Sequence, residues 1–471
     1  MSGKLTRERM RASFKHPAAA AALALAMLLA ATAAEPAGNW TQWRGPEHNG
    51  SSPDAHDLPV SWGPATNVLW KVELPSWSAA TPIVYGNTVF ITSAQEGFNE
   101  PASYEQRPGG GPGKKGGPPP PPPPAQNGGG KDQILLLAID RSNGAIKWTK
   151  VIGGGNRIYR KQNLASPSPV TDGRHVWTMT GSGALRCFDF QGAQVWARDI
   201  QADYGEFGLN HGYASTPLLD QGRLYIQVLH GMKTDDPSYV FAVDAKSGKT
   251  LWKVERPTDA PNESPDDYST PLIVNVDGQR QLIVSGGDYV TGHDLASGKE
   301  LWRMGGFNPN GERFYRTIAS SINIGDVIYT TSTRGKPFIA FRAGGHGDIT
   351  SKATVWSNDL GSDVPTPTTD GKLIYVINDR GIAFALDAKT GKPVWGPERT
   401  EPGTYSSSPL LADGKLYATN EDGTTTVLKA GSTFEILSVN RLDSHTLASP
   451  VAVGNQLFLR TADRLYCFQN Q

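Results

Sequence analysis

Short hydrophobic runs recur along most of the chain, and glycine- and proline-rich turns separate them. One unit begins at Tyr213 to Pro217, alternates from Leu224 to Val228, is continuously apolar from Val240 to Val243, and ends at Trp252. Apolar runs of this length, bounded by turn-forming residues, are typical of β-strands. Each unit therefore predicts three or four short strands joined by tight turns.

The unit is repeated eight times, at a period of roughly 40 to 55 residues that is typical of repeat architectures. A Ser/Thr-Pro pair opens seven units, and Ser321 takes the place of the proline in the fifth. The prolines are Pro82, Pro169, Pro217, Pro271, Pro367, Pro409 and Pro450. A tryptophan strand closes most units, at Trp148, Trp196, Trp252, Trp302, Trp356 and Trp395.

The eighth unit ends at Cys467 and Phe468 without a tryptophan strand, whereas an unassigned strand around Trp70 precedes the first unit. A strand from one terminus that completes the unit at the other terminus is typical of ring closure, which removes exposed strand edges. The sequence therefore predicts an all-β protein, a single eight-bladed β-propeller over residues 68–471 closed by the strand around Trp70. Two separate β domains are the alternative, but each would keep open edges.

The recurring tryptophans have two interpretations. A tryptophan can stack on a cofactor, but a residue repeated in nearly every blade is explained more simply by packing between adjacent sheets. We interpret the set as structural: Trp70, Trp148, Trp196, Trp252, Trp302, Trp356 and Trp395.

Residues 1–33 have the pattern of a Sec-type signal peptide, and residues 34–67 form an N-terminal extension. Five basic residues precede an apolar run from Ala18 to Ala31, which is too short to span a membrane as a helix. The alternative is an uncleaved anchor. No cysteine near the cleavage point could accept a lipid. We expect export to the periplasm or the extracellular space, with no transmembrane segment after cleavage.

Residues 96–131 interrupt the first unit between its second and third strands and are rich in proline and glycine, including seven consecutive prolines from Pro118 to Pro124. This composition cannot bury a core, and the sequence predicts a disordered, solvated insertion. It could meet a partner, but a tolerated insertion is the simpler interpretation.

Composition excludes one class of partner. Lys+Arg and Asp+Glu both number 45, so there is no basic excess, and nucleic acid is not an expected partner. The two cysteines, Cys187 and Cys467, occupy equivalent places in non-adjacent units, which is too far apart for a disulfide. Both are therefore expected to be free thiols.

The Ala-x-Asp-x-x-Ser/Thr-Gly-x-x-x-Trp element, as in 242–252 and 385–395, resembles the repeat of pyrroloquinoline-quinone (PQQ) propellers. Together with 39–46, 205–213 and 286–294, it is similar to the exported PQQ-like repeat proteins of planctomycetes and acidobacteria. Quinoprotein dehydrogenases and the outer-membrane assembly lipoprotein BamB share that fold.

The chain departs from both of these relatives. Quinoprotein alcohol dehydrogenases place a vicinal disulfide over the quinone, whereas the two cysteines here are far apart in sequence. The acidic and amide residues that hold calcium in those enzymes have no matching positions, and BamB's N-terminal lipid-bearing cysteine is absent. The resemblance therefore implies the fold and not an activity. No cofactor is firmly expected, and PQQ with calcium remains the alternative.

Candidate binding residues lie in the long connections between units, because long loops on one face of a rigid scaffold usually carry binding groups. The set is Tyr159, Arg160, Lys161, Asn163, Tyr204, Glu206, Asn210, His211, Glu263, Asp266, Asp267, Arg313, Tyr315 and Arg316. Their mixed charge suits a polar ligand or a peptide segment. Loops whose charges pair among themselves are the alternative.

Neither metal binding nor catalysis is expected. Glu263, Asp266 and Asp267 could together ligate calcium, but their spacing fits no EF-hand loop, and acidic turns are usually solvated. His211 has no zinc-ligand spacing around it, and no nucleophile motif occurs. The leading hypothesis is an exported, non-catalytic scaffold, monomeric, that binds an envelope protein or a small polar ligand. The alternative is a PQQ-dependent dehydrogenase of alcohols or sugars.

Overall fold

Eight antiparallel sheets, each of four main strands, follow one another along the chain as the blades of one β-propeller. The computed structural model describes residues 38–96, 132–159, 161–442 and 444–471. The eight-bladed all-β fold predicted from the repeats is confirmed. The predicted signal peptide, nearly all of the proline-rich insertion, and Arg160 lie outside the described residues. No described helix is long and apolar enough to cross a bilayer.

The first part of the described chain contains β1 to β20, which include two strands that precede the repeats and pair with blades seven and eight, and one small hairpin. The leading strands are β1 (Ser51–Ser52) and β2 (Val68–Glu73). Blade one contains β3 (Ile83–Tyr85), β4 (Thr88–Ala94), β5 (Ile134–Asp140) and β6 (Ile146–Gly153), followed by the hairpin β7 (Ile158–Tyr159) and β8 (Gln162–Asn163). Blade two contains β9 (Val170–Thr171), β10 (His175–Met179), β11 (Ala184–Asp189) and β12 (Gln194–Asp199). Blade three contains β13 (Leu218–Asp220), β14 (Arg223–Val228), β15 (Tyr239–Asp244) and β16 (Thr250–Glu255). Blade four contains β17 (Leu272–Val276), β18 (Gln279–Gly286), β19 (Tyr289–Asp294) and β20 (Glu300–Met304).

The second half of the ring contains β21 to β36. Blade five contains β21 (Ile322–Ile324), β22 (Val327–Thr331), β23 (Phe338–Arg342) and β25 (Thr354–Asn358), whereas β24 (Gly347–Asp348) adds to the outer edge of blade four. Blade six contains β26 (Thr368–Thr369), β27 (Leu373–Ile377), β28 (Ile382–Asp387) and β29 (Pro393–Arg399). Blade seven contains β30 (Leu410–Ala412), β31 (Lys415–Thr419), β32 (Thr424–Lys429) and β33 (Ile436–Arg441), and blade eight β34 (Val451–Val453), β35 (Gln456–Arg460) and β36 (Arg464–Phe468). Among the described residues, the helices are α1 (Ile200–Tyr204), α2 (Thr350–Ala353) and one 3₁₀ turn (Thr333–Gly335).

The ring closes through β2, which forms the outer strand of blade eight. It pairs antiparallel with β36, with Trp70 opposite Cys467 and Val68 opposite Phe468. The Trp70 side chain is buried and lies 6.0 Å from the Phe458 ring, measured between ring centroids. The first strand and the last strand of the ring therefore share one sheet, as predicted.

Six of the seven repeated tryptophans join adjacent blades. The indole N–H of each donates to a backbone carbonyl of the next blade at 2.7 to 3.1 Å, for Trp70, Trp148, Trp196, Trp252, Trp356 and Trp395. Trp302 differs, since it donates to Gln281 Oε1 in its own blade at 2.7 Å. The repeated glycine explains the spacing of the motif. A Cβ added at Gly248 would lie 2.7 Å from the Trp196 ring of the preceding blade.

A Ser or Thr precedes each opening proline, and Ser320 precedes Ser321 in blade five. The side-chain hydroxyls of these residues link the inner strands in a closed ring of hydrogen bonds, here called the hydroxyl belt. Each hydroxyl accepts a hydrogen bond from a backbone N–H of the blade before it, at 2.9 to 3.3 Å. The belt consists of Thr81, Ser168, Thr216, Thr270, Ser320, Thr366, Ser408 and Ser449, and Ser449 N donates to Thr81 Oγ1 to complete it. The Ser/Thr-Pro pair therefore serves the contact between blades as well as the start of a strand.

Replacing one belt hydroxyl is expected to destabilise the ring. In Thr216→Val the volume is kept but Ser168 N loses its acceptor, and an unsatisfied buried N–H costs about 1–3 kcal/mol. Thr216→Ser keeps the hydroxyl and serves as the control, with a smaller loss expected. Denaturant unfolding of both variants measures the difference. Equal stability of the two variants would show that the belt hydrogen bond contributes little.

Candidate functional site

The predicted binding residues lie in four long connections between blades. These connections are residues 154–169, 200–217, 256–271 and 305–321. They lie on the side of the ring that also carries the connections between the second and third strands of each blade, here called the long-loop face. The geometry of this face decides which of the predicted residues meet.

Asn210, His211, Glu263, Asp266 and Arg316 come together in one group, here called the acidic cluster. Glu263 Oε1 accepts from Asn210 Nδ2 at 3.0 Å and lies 3.3 Å from His211 Nε2. The second oxygen, Glu263 Oε2, lies 3.8 Å from Arg316 Nη1. Three separate connections between blades therefore supply one group that is joined by hydrogen bonds and an ion pair.

The two carboxylates of the acidic cluster have pKa values shifted in opposite directions. Burial raises the pKa of Asp266 to about 6, although the backbone N–H groups of Asn210, Gly231 and Met232 donate to it at 2.6 to 3.1 Å. Burial acts in the same direction on Glu263. There, hydrogen bonds from His211 and Asn210 together with Arg316 outweigh burial and lower the pKa to about 2. At neutral pH both carboxylates are therefore ionised, and Glu263 keeps its charge to a much lower pH than Asp266.

Asp267 lies beside the cluster but points to a different environment. Its side chain is 1% exposed, and Gln227 Nε2 donates to Oδ2. Among the described residues, Oδ1 has no hydrogen-bond partner. Burial raises the pKa of Asp267 to about 7, because hydrogen bonds from Ser269 and Gln227 only partly offset the loss of solvent. Asp267 is thus a buried acid that ionises near neutral pH.

The three carboxylates are directed towards protein donors. The acceptors of Glu263 and Asp266 are occupied by protein donors, and Asp267 faces Gln227. Within the part of the chain that the structure describes, no group of three or more His, Cys, Asp or Glu side chains is arranged to hold a metal ion.

The predicted residues around β7 and β8 attach that hairpin to distant blades. Lys161 Nζ lies 2.6 Å from Glu421 Oε1 in blade seven. Asn163 Nδ2 donates to the Trp77 carbonyl at 2.8 Å, ahead of blade one. The Tyr159 ring lies 5.6 Å from the Lys233 ammonium of blade three, measured to the ring centroid. The hairpin therefore contacts three separate parts of the long-loop face.

The remaining predicted residues lie apart from the acidic cluster. Tyr204 packs against Tyr239 and Phe241 of blade three. Tyr315 is buried and donates its hydroxyl to the Lys336 carbonyl. Glu206 and Arg313 are exposed. The predicted set is therefore not one open ligand site, because its buried charges pair mainly with each other and only a few members face solvent.

A segment that sequence reasoning did not place closes the central channel from the opposite face. Residues 40–52, here called the channel plug, begin next to Asn39, whose Oδ1 accepts from Gly86 N in a short turn of blade one. The plug contacts inner strands around the ring through hydrogen bonds of Trp40 to Val84, Thr41 to Thr171, Gln42 to Leu219, and Arg44 to Pro367 and Pro409. Trp62 instead packs on Tyr417 and Phe468 at the side of the ring.

The residues present do not fit the quinone of PQQ enzymes. Two cavities formed by described residues, one beside Tyr289 and Tyr315 and one beside Arg44, each have room for about one water molecule, far too little for a tricyclic tricarboxylate. Cys187 and Cys467 are buried free thiols in separate blades, and burial raises the pKa of each to about 12. They therefore supply neither a disulfide nor a reactive thiolate.

An eight-bladed ring built from this repeat, with its long connections on one face, defines a PQQ-repeat β-propeller. A family model described as "Outer membrane protein assembly factor BamB" matches residues 131–397, more than half of the chain. The chain belongs to this family. The resemblance inferred from the repeat is confirmed.

Two curated relatives carry the same description. The protein from Alkalilimnicola ehrlichii is 24% identical over 200 residues, which are 41% of this chain and 49% of the relative. The protein from Shewanella oneidensis is 22% identical over 302 residues, 62% of this chain and 66% of the relative. The chain thus matches less than two thirds of the length of either relative.

Solved structures share the fold at low sequence identity. BamB from Moraxella catarrhalis superposes with a TM-score of 0.51 at 16% identity, covering 72% of this chain and 92% of that one. Quinohemoprotein alcohol dehydrogenase from Comamonas testosteroni gives 0.61 at 14% identity, covering 93% and 81%. A europium-containing methanol dehydrogenase gives 0.65 at 11%, covering 92% and 98%. These similarities concern the fold alone.

Proposed function

We propose that this chain is an exported, non-catalytic scaffold that binds a protein partner in the cell envelope through its long-loop face. The observation that carries the proposal is the closed channel. Since the channel plug fills the centre of the ring, the groups available to a partner lie on the outer surface. Membership in a family named for outer-membrane protein assembly supports a protein partner, and the signal-like residues 1–33 support export.

The surface that we assign to the partner surrounds Phe314, whose side chain is 52% exposed. An aromatic side chain at this exposure is a candidate anchor, because aromatic and arginine residues dominate binding energies. Arg313 beside it is exposed. Arg334 Nη1 forms an ion pair with Glu312 Oε2 at 3.3 Å. The Tyr315 hydroxyl donates a hydrogen bond to the Lys336 carbonyl, so the loop that carries Phe314 lies against the loop that carries Arg334 and Lys336.

This surface, here called the Phe314 patch, carries more positive than negative side chains. Arg313, Arg334 and Lys336 are exposed, whereas Glu312 is half-buried. A partner segment with acidic residues around an apolar side chain complements both features. The two carboxylates of the acidic cluster, Glu263 and Asp266, are buried and support the loops instead of contacting the partner.

Binding assays on patch variants test the proposal. In Phe314→Ala, the loss of an anchor is expected to weaken affinity for the envelope partner by about 30-fold, which corresponds to roughly 2 kcal/mol. Arg313→Ala is expected to slow association and to reduce its salt dependence. The partner is first captured by cross-linking in envelope extracts and then purified for titration calorimetry.

The matched control is Val195→Ala, which removes a side chain of similar exposure, 47%, from the outer strand of blade two. Its affinity is expected to equal that of the unmodified chain. Equal loss in the two variants, or no loss in Phe314→Ala, would contradict the assignment of the long-loop face.

A further inference from the structure

The channel plug brings one fully buried arginine to the middle of the ring. Arg44 is 3% exposed, and its guanidinium donates to the carbonyls of Pro409 at 2.9 Å, Pro367 at 2.8 Å and Asn49 at 2.8 Å. The Trp43 ring lies 5.8 Å from it, measured to the centroid. Among the described residues no carboxylate pairs with Arg44. Burial alone lowers the pKa of Arg44 to about 9, so the side chain remains a cation at neutral pH.

One donor of this cation has no acceptor. Arg44 Nε is buried and without a hydrogen-bond partner in the described part of the chain. A buried charge that is not compensated is costly, and buried polar groups are normally satisfied. The unused Nε–H therefore marks a position where an acceptor, preferably a negatively charged one, would stabilise the plug.

A cavity with further hydroxyl donors lies against Arg44. It is lined by Trp43, Arg44, His48, Thr270, Ser320 and Ser321, and it has room for about one water-sized particle. Thr270 and Ser320 are members of the hydroxyl belt, and each hydroxyl oxygen accepts from a backbone N–H. Each hydroxyl retains one hydrogen that is given to no described acceptor. The cavity wall can thus offer three donors.

We propose that this cavity binds a monovalent halide ion, chloride under physiological conditions, held by Arg44 Nε and by the hydroxyls of Thr270 and Ser320. A halide ion accepts several hydrogen bonds and has no hydrogen to donate. A water molecule in the same place would also require acceptors for its two hydrogens. The ion neutralises the buried guanidinium and fixes the plug to the inner strands of blades four and five. The site accounts for the arginine of the sequence segment 39–46, which the proposed function does not use.

Bromide provides a direct test on the unmodified full chain. Crystals grown in sodium bromide are expected to show an anomalous peak in the cavity, within contact of Arg44 Nε. In solution, the midpoint of thermal unfolding is expected to rise by a few degrees when sodium gluconate is replaced by sodium chloride or bromide at equal ionic strength. A water peak without anomalous signal, and a midpoint that is the same in all three salts, would overturn the proposal in favour of an ordered water only.

Two variants separate a bound ion from a general salt effect. Ser320→Ala and Ser168→Ala each remove one hydroxyl of the belt, but only Ser320 lines the cavity. The halide-dependent rise in the unfolding midpoint is expected to shrink in Ser320→Ala and to persist in Ser168→Ala. An equal rise in both variants would contradict the assigned site. If Ser320→Ala does not fold, the bromide crystals of the unmodified chain still decide.

Discussion

Replacing Trp70 with alanine is expected to lower the free energy of unfolding by about 3–5 kcal/mol, the usual cost of removing a buried aromatic side chain. Trp70 is 6% exposed, packs on Phe458 and donates to the Arg141 carbonyl of blade one at 2.7 Å. Its loss affects both the sheet of blade eight and the contact between the last blade and the first. Denaturant unfolding measures the loss. It is followed by far-UV circular dichroism, because the fluorescence signal changes when a tryptophan is removed.

The matched control is Leu69→Ala in the same strand, because Leu69 is 40% exposed on the outer edge. Exposed substitutions usually change stability by no more than about 0.5 kcal/mol. Hydrogen exchange of β36, which pairs with β2, is expected to accelerate in Trp70→Ala only. Similar small losses in both variants would show that the N-terminal strand does not hold the ring closed.

Replacing Asp267 with asparagine is expected to stabilise the protein increasingly as the pH rises from about 4 to about 7. The pKa of Asp267 is raised from 3.8 to about 7, mainly by burial. An acid with a raised pKa in the folded state stays protonated there while the unfolded chain ionises, so stability falls with pH across this window. The decrease levels off above pH 7, where both states are ionised.

The size of this effect follows from the shift in pKa. At about 1.4 kcal/mol for each unit, the wild-type loss attributable to Asp267 reaches at most roughly 4 kcal/mol, and Asp267→Asn removes it. Asparagine keeps the acceptor for Gln227 Nε2. Unfolding free energies at pH 4, 5, 6, 7 and 8 test the expectation. The control, Asp235→Asn at an exposed position, is expected to leave the pH profile unchanged. Parallel profiles for Asp267→Asn and the wild type would contradict the expected ionisation.

The long-loop face shows why the candidate site was only partly predictable. Sequence reasoning placed Asn210, His211, Glu263 and Arg316 on the correct connections, because loop length maps onto one face of a propeller. It could not pair them. Asn210 and Glu263 lie 53 positions apart, and whether their side chains meet depends on how neighbouring loops fold over each other. Charges in these loops pair among themselves where they are buried, as Glu263 does with His211 and Arg316.

Local pattern alone determined the architecture of this protein. Alternating and continuous apolar runs encode strands, the turn residues separate them, and the strand around Trp70 supplies what the last unit lacks. The strand and turn signals lie within a few residues of each other, and the incomplete last unit and the unassigned strand around Trp70 are both visible in the repeat pattern, so neither requires knowledge of tertiary contacts. The repeat also indicated the family, since its Asp, Gly and Trp positions serve turns and contacts between blades.

Only the tertiary structure decided that residues 40–52 occupy the central channel. Arg44 binds the carbonyls of Pro367 and Pro409, which lie 323 and 365 positions away in the sequence. Such contacts exist only after the ring has closed, because closure gathers the starts of all inner strands around one axis. No periodic pattern announces them, and a tryptophan- and arginine-containing segment before the first repeat could equally have covered the side of the ring, as Trp62 does.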